Sequence, residues 1–223
     1  MALWLAALLV VDVVAERRIA ARDATRIEIF SIGHGISILA FFPDGRTALF
    51  DCGSVSNSER AAEIAARALW NAGRTRIDLA VASHADYDHY GGLRTLAETV
   101  EIGRVCVSPA MFNKRDAELD ALRDALEREN IPIETVVGGE TFARFGFPEL
   151  AALHPTLENG PLGDESNENS LVVALERNGR RILLPGDLDA PGALFLRTPP
   201  TRFDLILAPH HGGKSENYRD LLD

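Results

Sequence analysis

Residues 84–93 read His-Ala-Asp-Tyr-Asp-His-Tyr-Gly-Gly-Leu, so His84, Asp86, Asp88 and His89 place four potential metal ligands within six positions. Imidazole nitrogens and carboxylate oxygens are the donors that hold zinc, manganese and other divalent hydrolytic ions. The cluster directly follows residues 77–83 (Ile-Asp-Leu-Ala-Val-Ala-Ser), an apolar run that reads as a buried strand. A polar surface loop is the plain alternative, but such loops seldom end an apolar strand with two His and two Asp and then close on Gly-Gly. The chemistry implied is hydrolysis assisted by one or two bound cations.

Such a loop needs a rigid support, and the surrounding sequence supplies one. Residues 26–30, 36–42 and 47–50 alternate as strands, with Pro43-Asp44-Gly45-Arg46 as a hairpin turn. The third of these ends in Asp51-Cys52-Gly53. Residues 58–70 are Ala-rich at helical spacing and stop at Asn71-Ala72-Gly73. A helix is expected from about Asp88–Gly92 to Thr99, a short strand over 105–107 and an amphipathic helix over 113–129, with Leu119, Leu122 and Leu126 on one stripe. Strands are expected over 131–137, 141–145, 149–154, 170–176 and 181–184, the last two joined at Asn178-Gly179. Residues 155–169 form a long loop, 190–197 suit a short helix, and 203–208 read as a buried strand ending in Pro209-His210-His211-Gly212-Gly213. Several strands therefore end in metal-type residues: Asp51, the His84 loop, Gly186-Asp187 and His210-His211. Ends that share one edge of a sheet can converge on a single site.

The chain has 223 residues and a formal net charge of −10. That acidity argues against non-specific duplex binding through a basic face, and Lys114-Arg115 and Arg180-Arg181 are too sparse to alter this. The two cysteines, Cys52 and Cys106, form no CxxC pair, so a cysteine zinc knuckle is excluded, and both are expected as buried free thiols. Residues 1–11 are uninterrupted apolar sequence, and Asp12 and then Glu16-Arg17-Arg18 close the segment. It is shorter than the roughly 20 residues of a full membrane span and lacks the leading positive charge of a signal peptide. The preferred reading of 1–18 is the tail of a membrane helix; a surface anchor and a segment docked on a partner are the alternatives. Residues 24–223 form one layered α/β domain.

Taken in order, Gly33-His34-Gly35, Asp51-Cys52-Gly53, residues 83–93, Asn169-Ser170-Leu171-Val172, Gly186-Asp187 and residues 209–212 resemble the metallo-β-lactamase superfamily. Within it they resemble the extracytoplasmic hydrolase domain of ComEC-type DNA-uptake proteins. The resemblance spans residues 26–213. It implies an αββα sandwich with the metal site between two sheets, two divalent ions (Zn or Mn), and a membrane-associated domain on the extracytoplasmic side, with a cytoplasmic place as the alternative. It further implies that His84 and Asp86 hold one ion, that Asp88 and His89 hold the second, and that Asp187 bridges them. His210 would complete the coordination, with His211 its nearest rival, and Asp51 would orient a ligand histidine. Most superfamily members have His where Asp86 stands, and a carboxylate there shifts preference from zinc towards manganese or magnesium.

Asp88 and His211 are the expected catalytic residues, with Tyr87 a second candidate proton donor. Asn169 occupies a position where relatives place a histidine ligand, and a capping or turn role is the simpler reading. His34 reads as a turn residue with a local hydrogen bond, the alternative being that it faces the site, and His154 as a loop residue or a further ligand. The chain departs from the family at Ser31 and Ile36, where Asp is usual, and at Gly213, where Ser is usual. It also stops before the strand-helix unit with which the family continues, so an incomplete domain is expected. The expected reaction is phosphodiester hydrolysis, on single-stranded DNA during uptake, with the membrane or a membrane-channel domain as partner through the N-terminal segment. The alternatives are hydrolysis of small esters, lactones or phosphocholine-type groups, and an inactive membrane-associated module.

Overall fold

The computed structural model describes residues 24–156, 158, 167–189 and 202–212. The N-terminal segment 1–18, the expected helix over 190–197 and the residues after Gly212 lie outside this set. Among the described residues, no helix is long and apolar enough to cross a membrane.

The first sheet has the order β1 (Arg26–Ile29), β2 (Gly35–Phe41), β3 (Thr47–Ser54), β5 (Leu79–Ala82), β7 (Val105–Val107) and β8 (Ile133–Thr135). Its first three strands are antiparallel, as the Pro43–Arg46 turn requires, and β3, β5, β7 and β8 are parallel. The second sheet has the order β13 (Leu205–Ile206), β12 (Arg180–Leu184), β11 (Val172–Arg177), β10 (Phe147–His154) and β9 (Thr141–Phe142). A two-stranded pairing joins β4 (Arg76–Ile77) to β6 (Glu101–Ile102).

Alternation along the strands builds two cores. One face of the first sheet packs Leu39, Leu49, Ala80 and Val105 against α1 (Ser58–Asn71), α3 (Leu93–Ala97) and α4 (Ala117–Arg128). The other face sends Ile38, Phe50, Leu79 and Val81 against Phe147, Leu150, Val173 and Leu175 of the second sheet. At the hairpin end, Arg46 lies over the rings of Phe42 and Phe147 and pairs with Glu149, clamping the sheets together. A smaller cluster of Val172, Leu183 and Leu188 lies on the second sheet, with Phe203 and Ile206 packed against it. Cys52 and Cys106 are free and buried.

Several elements are shorter than their periodicity implies, each for a local reason. The run 77–83 splits at Asp78, whose carboxylate accepts from the Thr47 amide at 2.9 Å. The helix expected after Asp88 is two pieces, α2 (Tyr87–Tyr90) and α3, broken at Gly91-Gly92. A Cβ on Gly92 would meet Cys52 carbonyl oxygen at 2.8 Å, so this break is where the loop presses onto β3. Helix α4 begins only at Ala117 because the Asp116 carboxylate caps it, accepting from the Glu118 amide. The strand expected over 141–145 turns into a 3₁₀ segment after Phe142 and ends at the left-handed Gly146.

Gly53 sets how closely the ligand loop approaches the sheet. A Cβ there would lie 2.5 Å from the Asp88 carbonyl carbon and 2.6 Å from the His89 amide nitrogen. Gly53→Ala should push α2 outward, lowering stability by about 1–3 kcal/mol as overpacked sites do. Urea unfolding together with metal content measures this, and unchanged values for both would refute the packing role.

Candidate metal centre

Asp51 is the residue from which the site is built. The β2–β3 register passes from Ser37↔Cys52 to Ile38↔Phe50, leaving Asp51 as the extra residue of a β-bulge. Its φ of 53° is left-handed, a region that Asp tolerates better than most residues. The bulge turns the carboxylate towards the end of β5. There Oδ1 accepts from the Ser83 amide at 2.7 Å, and Oδ2 accepts from Ser83 Oγ and from His89 Nδ1, both at 2.8 Å.

These bonds fix two histidines. A carboxylate accepts and does not donate, so Ser83 Oγ–H and His89 Nδ1–H both point at Asp51. Ser83 Oγ then accepts from His84 Nδ1, 2.9 Å away. Both imidazoles are thereby oriented through Nδ1, and both Nε2 atoms are buried without a well-formed hydrogen bond, 3.5 Å from an Asp86 oxygen for His84 and 3.2 Å from an Asp187 oxygen for His89. His84 is 1% and His89 0% exposed. Nitrogens at that depth are costly unless a proton shared with those carboxylates or a bound cation satisfies them. A ligand histidine whose other nitrogen is held by a carboxylate is the usual arrangement at a metal.

Asp187 supplies the third group. It follows β12 at Gly186, whose φ is 58° and whose Cβ would collide with Ser83 at 2.9 Å. Glycine therefore lets the turn close over the end of β5. Asp187 Oδ1 lies 3.2 Å from His89 Nε2 and accepts from the His210 amide at 3.1 Å. Burial works to raise its carboxyl, but His89, with His84 and His211 behind it, draws it well below the usual carboxylate range. Donor atoms of His84, His89 and Asp187 all lie within 4.8 Å of one another.

A second group stands beside the first. Asp88 Oδ2 is 3.1 Å from His211 Nε2 and 3.5 Å from His34 Nε2, and these three residues also present donor atoms within 4.8 Å of one another. His211 links the two groups, with Nε2 3.7 Å from Asp187 Oδ2 and its ring 5.2 Å from that of His89. His210 and His211 both have left-handed backbones, φ 49° and 52°. Each such residue costs roughly 1–3 kcal/mol and persists where surrounding contacts hold it.

The candidate donors lie in two groups. His84 and His89 share a triad with Asp187, and Asp88 stands apart with His211 and His34. Asp86 lies on the rim, with Oδ2 3.5 Å from His84 Nε2 and Oδ1 3.7 Å from Lys114 Nζ. His84 chiefly, then Lys114, lowers its carboxyl against an opposing burial effect. His210 turns its Nε2 to Asp189 Oδ1 at 2.7 Å, and its Nδ1 stands 3.5 Å from Asp187 Oδ2. Asn169 is buried in a 3₁₀ turn, and neighbouring Glu168 offers its carbonyl to His154 Nε2 at 2.8 Å. Tyr87 is exposed at the start of α2. Ser83 is the addition, a relay between Asp51 and His84, and His34 is brought to the site by its turn, as the alternative reading had it. The sequence signal for His34 was its flanking glycines, which also suit an ordinary turn.

A model of the metallo-beta-lactamase superfamily matches residues 33–223. The chain belongs to the metallo-beta-lactamase superfamily. Its two-sheet sandwich is that superfamily's mixed α/β fold, and its clustered His and Asp residues are placed to hold metal in a hydrolase of that kind. The chain is 26% identical over 152 residues to ComE operon protein 3 of Bacillus subtilis (strain 168), a stretch covering 67% of this chain and 19% of that protein. It is also similar to a metallo-beta-lactamase structure from Hirschia baltica, at 20% identity and a TM-score of 0.42, over 72% of this chain and 70% of that one. A diphosphatase of the PhnP family matches at 14% identity and a TM-score of 0.39, over 78% of this chain and 59% of that one.

Metal-free, the buried triad has a defined pH response. Burial lowers the His89 pKa, but Asp51 and Asp187 together outweigh it and raise it from 6.5 to about 10. A raised histidine stabilises the fold fully below its unfolded pKa, and that stability is lost as pH rises through the folded value. The urea midpoint of the metal-free protein should therefore fall between pH 6.5 and 10, and Asp51→Asn should flatten that fall. Asp51→Asn should also weaken the tightest bound metal by roughly 10- to 100-fold, the usual cost of losing a carboxylate behind a ligand histidine. Calorimetric titration measures the second effect, and unaltered affinity would show that His89 needs no carboxylate behind it.

Proposed function

We propose that this domain is a two-metal phosphodiesterase acting on single-stranded DNA. The observation that carries the proposal is the pair of adjoining His/Asp triads, joined by His211 and Asp187, one buried and one open to solvent. His84, His89 and Asp187, and beside them Asp88, His211 and His34, would hold the divalent ions, zinc or manganese, which when bound would supply a water nucleophile at neutral pH and charge stabilisation at the phosphorus and the leaving oxygen.

The chain's own residues contribute binding, orientation and charge. Asp51 and Ser83 keep His84 and His89 in the tautomer that offers Nε2 inward. Asp187 faces His89 and His211, one from each triad, where its carboxylate would offset cation charge. Lys114, 54% exposed beside Asp86, gives the rim a cation that an anionic substrate can meet despite the net charge of −10. Tyr87, next to Asp88 in α2, and Val55, whose amide donates to the His34 carbonyl, are both exposed, and an exposed aromatic ring can stack one base of an unpaired strand. The choice of DNA, and of a place on the extracytoplasmic side of a membrane with residues 1–18 as anchor and a membrane-channel domain as partner, rests on the likeness to ComEC-type proteins and to ComE operon protein 3.

The test is cleavage of an end-labelled single-stranded oligonucleotide by manganese-loaded protein. Asp187→Ala should slow it about 100- to 1,000-fold, as the loss of several kcal/mol of transition-state stabilisation requires. Turnover of a lactone or small ester with no cleavage of the oligonucleotide would replace the nuclease reading with the small-substrate one.

A further inference from the structure

The outer triad contains a residue for which neither the motif nor the family resemblance provides a ligand role. His34 sits in the turn Gly33-His34-Gly35 between β1 and β2. Its carbonyl accepts from the Val55 amide at 2.8 Å, which ties the turn to the end of β3. Gly35 allows that contact: a Cβ there would lie 2.1 Å from the Gly53 carbonyl oxygen. The turn is therefore seated on the same bulged strand that carries Asp51, and it holds the His34 ring over His211 at 5.1 Å between centroids, edge to face.

We infer that His34, Asp88 and His211 form a second cation site, weaker than the buried one, in which His34 is a direct ligand. The inference rests on the two-metal reading above. Ligand atoms each about 2.0–2.2 Å from one tetrahedral ion stand about 3.4 Å apart. The His211–Asp88 and His34–Asp88 distances of 3.1 and 3.5 Å lie on either side of that value. The three donors come from three separate segments, the β1–β2 turn, α2 and the Pro209–Gly212 turn, so convergence is a property of the fold and not of one loop. Two imidazoles and one carboxylate leave a fourth position open to solvent, as a site that must meet substrate requires.

The two triads differ in what stands behind them. In the inner one, Asp51 and Ser83 pre-orient both histidines and the side chains are 0–10% exposed. In the outer one, the His34 side chain is 69% exposed and that of His211 is 23%. Ligands that must be ordered on binding give a weaker site, so the inner site fills first and the outer ion exchanges.

The experiment uses the full chain, stripped with chelator and titrated with Co²⁺, followed by visible absorption and by bound metal after gel filtration. Wild type should take up two equivalents, the second at least about tenfold weaker than the first. His34→Ala should leave the first unchanged and weaken the second about tenfold or more, the scale on which loss of a group supporting a metal is felt. His34→Asp should restore much of it, whereas His34→Phe, which keeps a ring against His211, should not. A second equivalent bound equally well by His34→Ala, or a wild type that binds only one ion, overturns the inference and leaves the buried site standing. A wild type that binds none overturns both this inference and the two-metal reading.

Discussion

The Asp51 carboxylate is the interaction on which the site depends. One side chain accepts three hydrogen bonds, from the Ser83 amide, Ser83 Oγ and His89 Nδ1. Those bonds fix the end of β5, the start of the ligand loop and the tautomer of one imidazole directly and of a second through Ser83. The carboxylate can do this because it occupies a bulge, where the extra residue on β3 turns it sideways out of the ladder. The region behind it is apolar, with Ile36, Phe50, Val81, Leu171 and Leu184 lining a crevice between the sheets. Water is scarce there, so each of these bonds is stronger than it would be at the surface.

The remaining architecture delivers partners to that fixed point. Parallel strands β3 and β5 end side by side, which brings Asp51 and Ser83 together. The second sheet contributes Asp187 from β12, through a left-handed glycine that presses against Ser83. The Pro209–Gly212 turn follows β13 and carries two histidines in left-handed conformations. Left-handed backbone is concentrated here: of the five non-glycine residues with positive φ among the described residues, Asp51, His210 and His211 are in or beside the site, and the other two are asparagines. A molecule that holds an aspartate and two histidines this way uses its core to oppose their local preference.

Much of this was legible in the sequence because the informative residues sit at the ends of apolar runs. The strand before His84, the hairpin closing in Asp51 and the Gly186-Asp187 turn follow from periodicity and turn chemistry, and the order of motifs indicated the family. Three things were not legible. The grouping of candidate donors depends on which way His84, Asp86, Asp88 and His89 face once Gly91-Gly92 breaks the helix, and spacing alone does not show that. His34 looked like a turn residue because its long-range partner, Asp88, is 54 positions away. The choice between His210 and His211 rests on two left-handed backbones that no propensity would have predicted, and the structure turns His210 to Asp189 and His211 to Asp88.

The central claim is that His84 and His89 hold an ion through Nε2 because Asp51 and Ser83 occupy Nδ1. Diffraction from crystals of manganese- or zinc-loaded protein, measured at the metal's absorption edge, tests it most directly. The account predicts an anomalous peak about 2.0–2.2 Å from the Nε2 atoms of both histidines and from an Asp187 carboxylate oxygen, with the Asp51 hydrogen bonds intact. A peak away from that triad, or ligation through Nδ1 with Asp51 released, would contradict it.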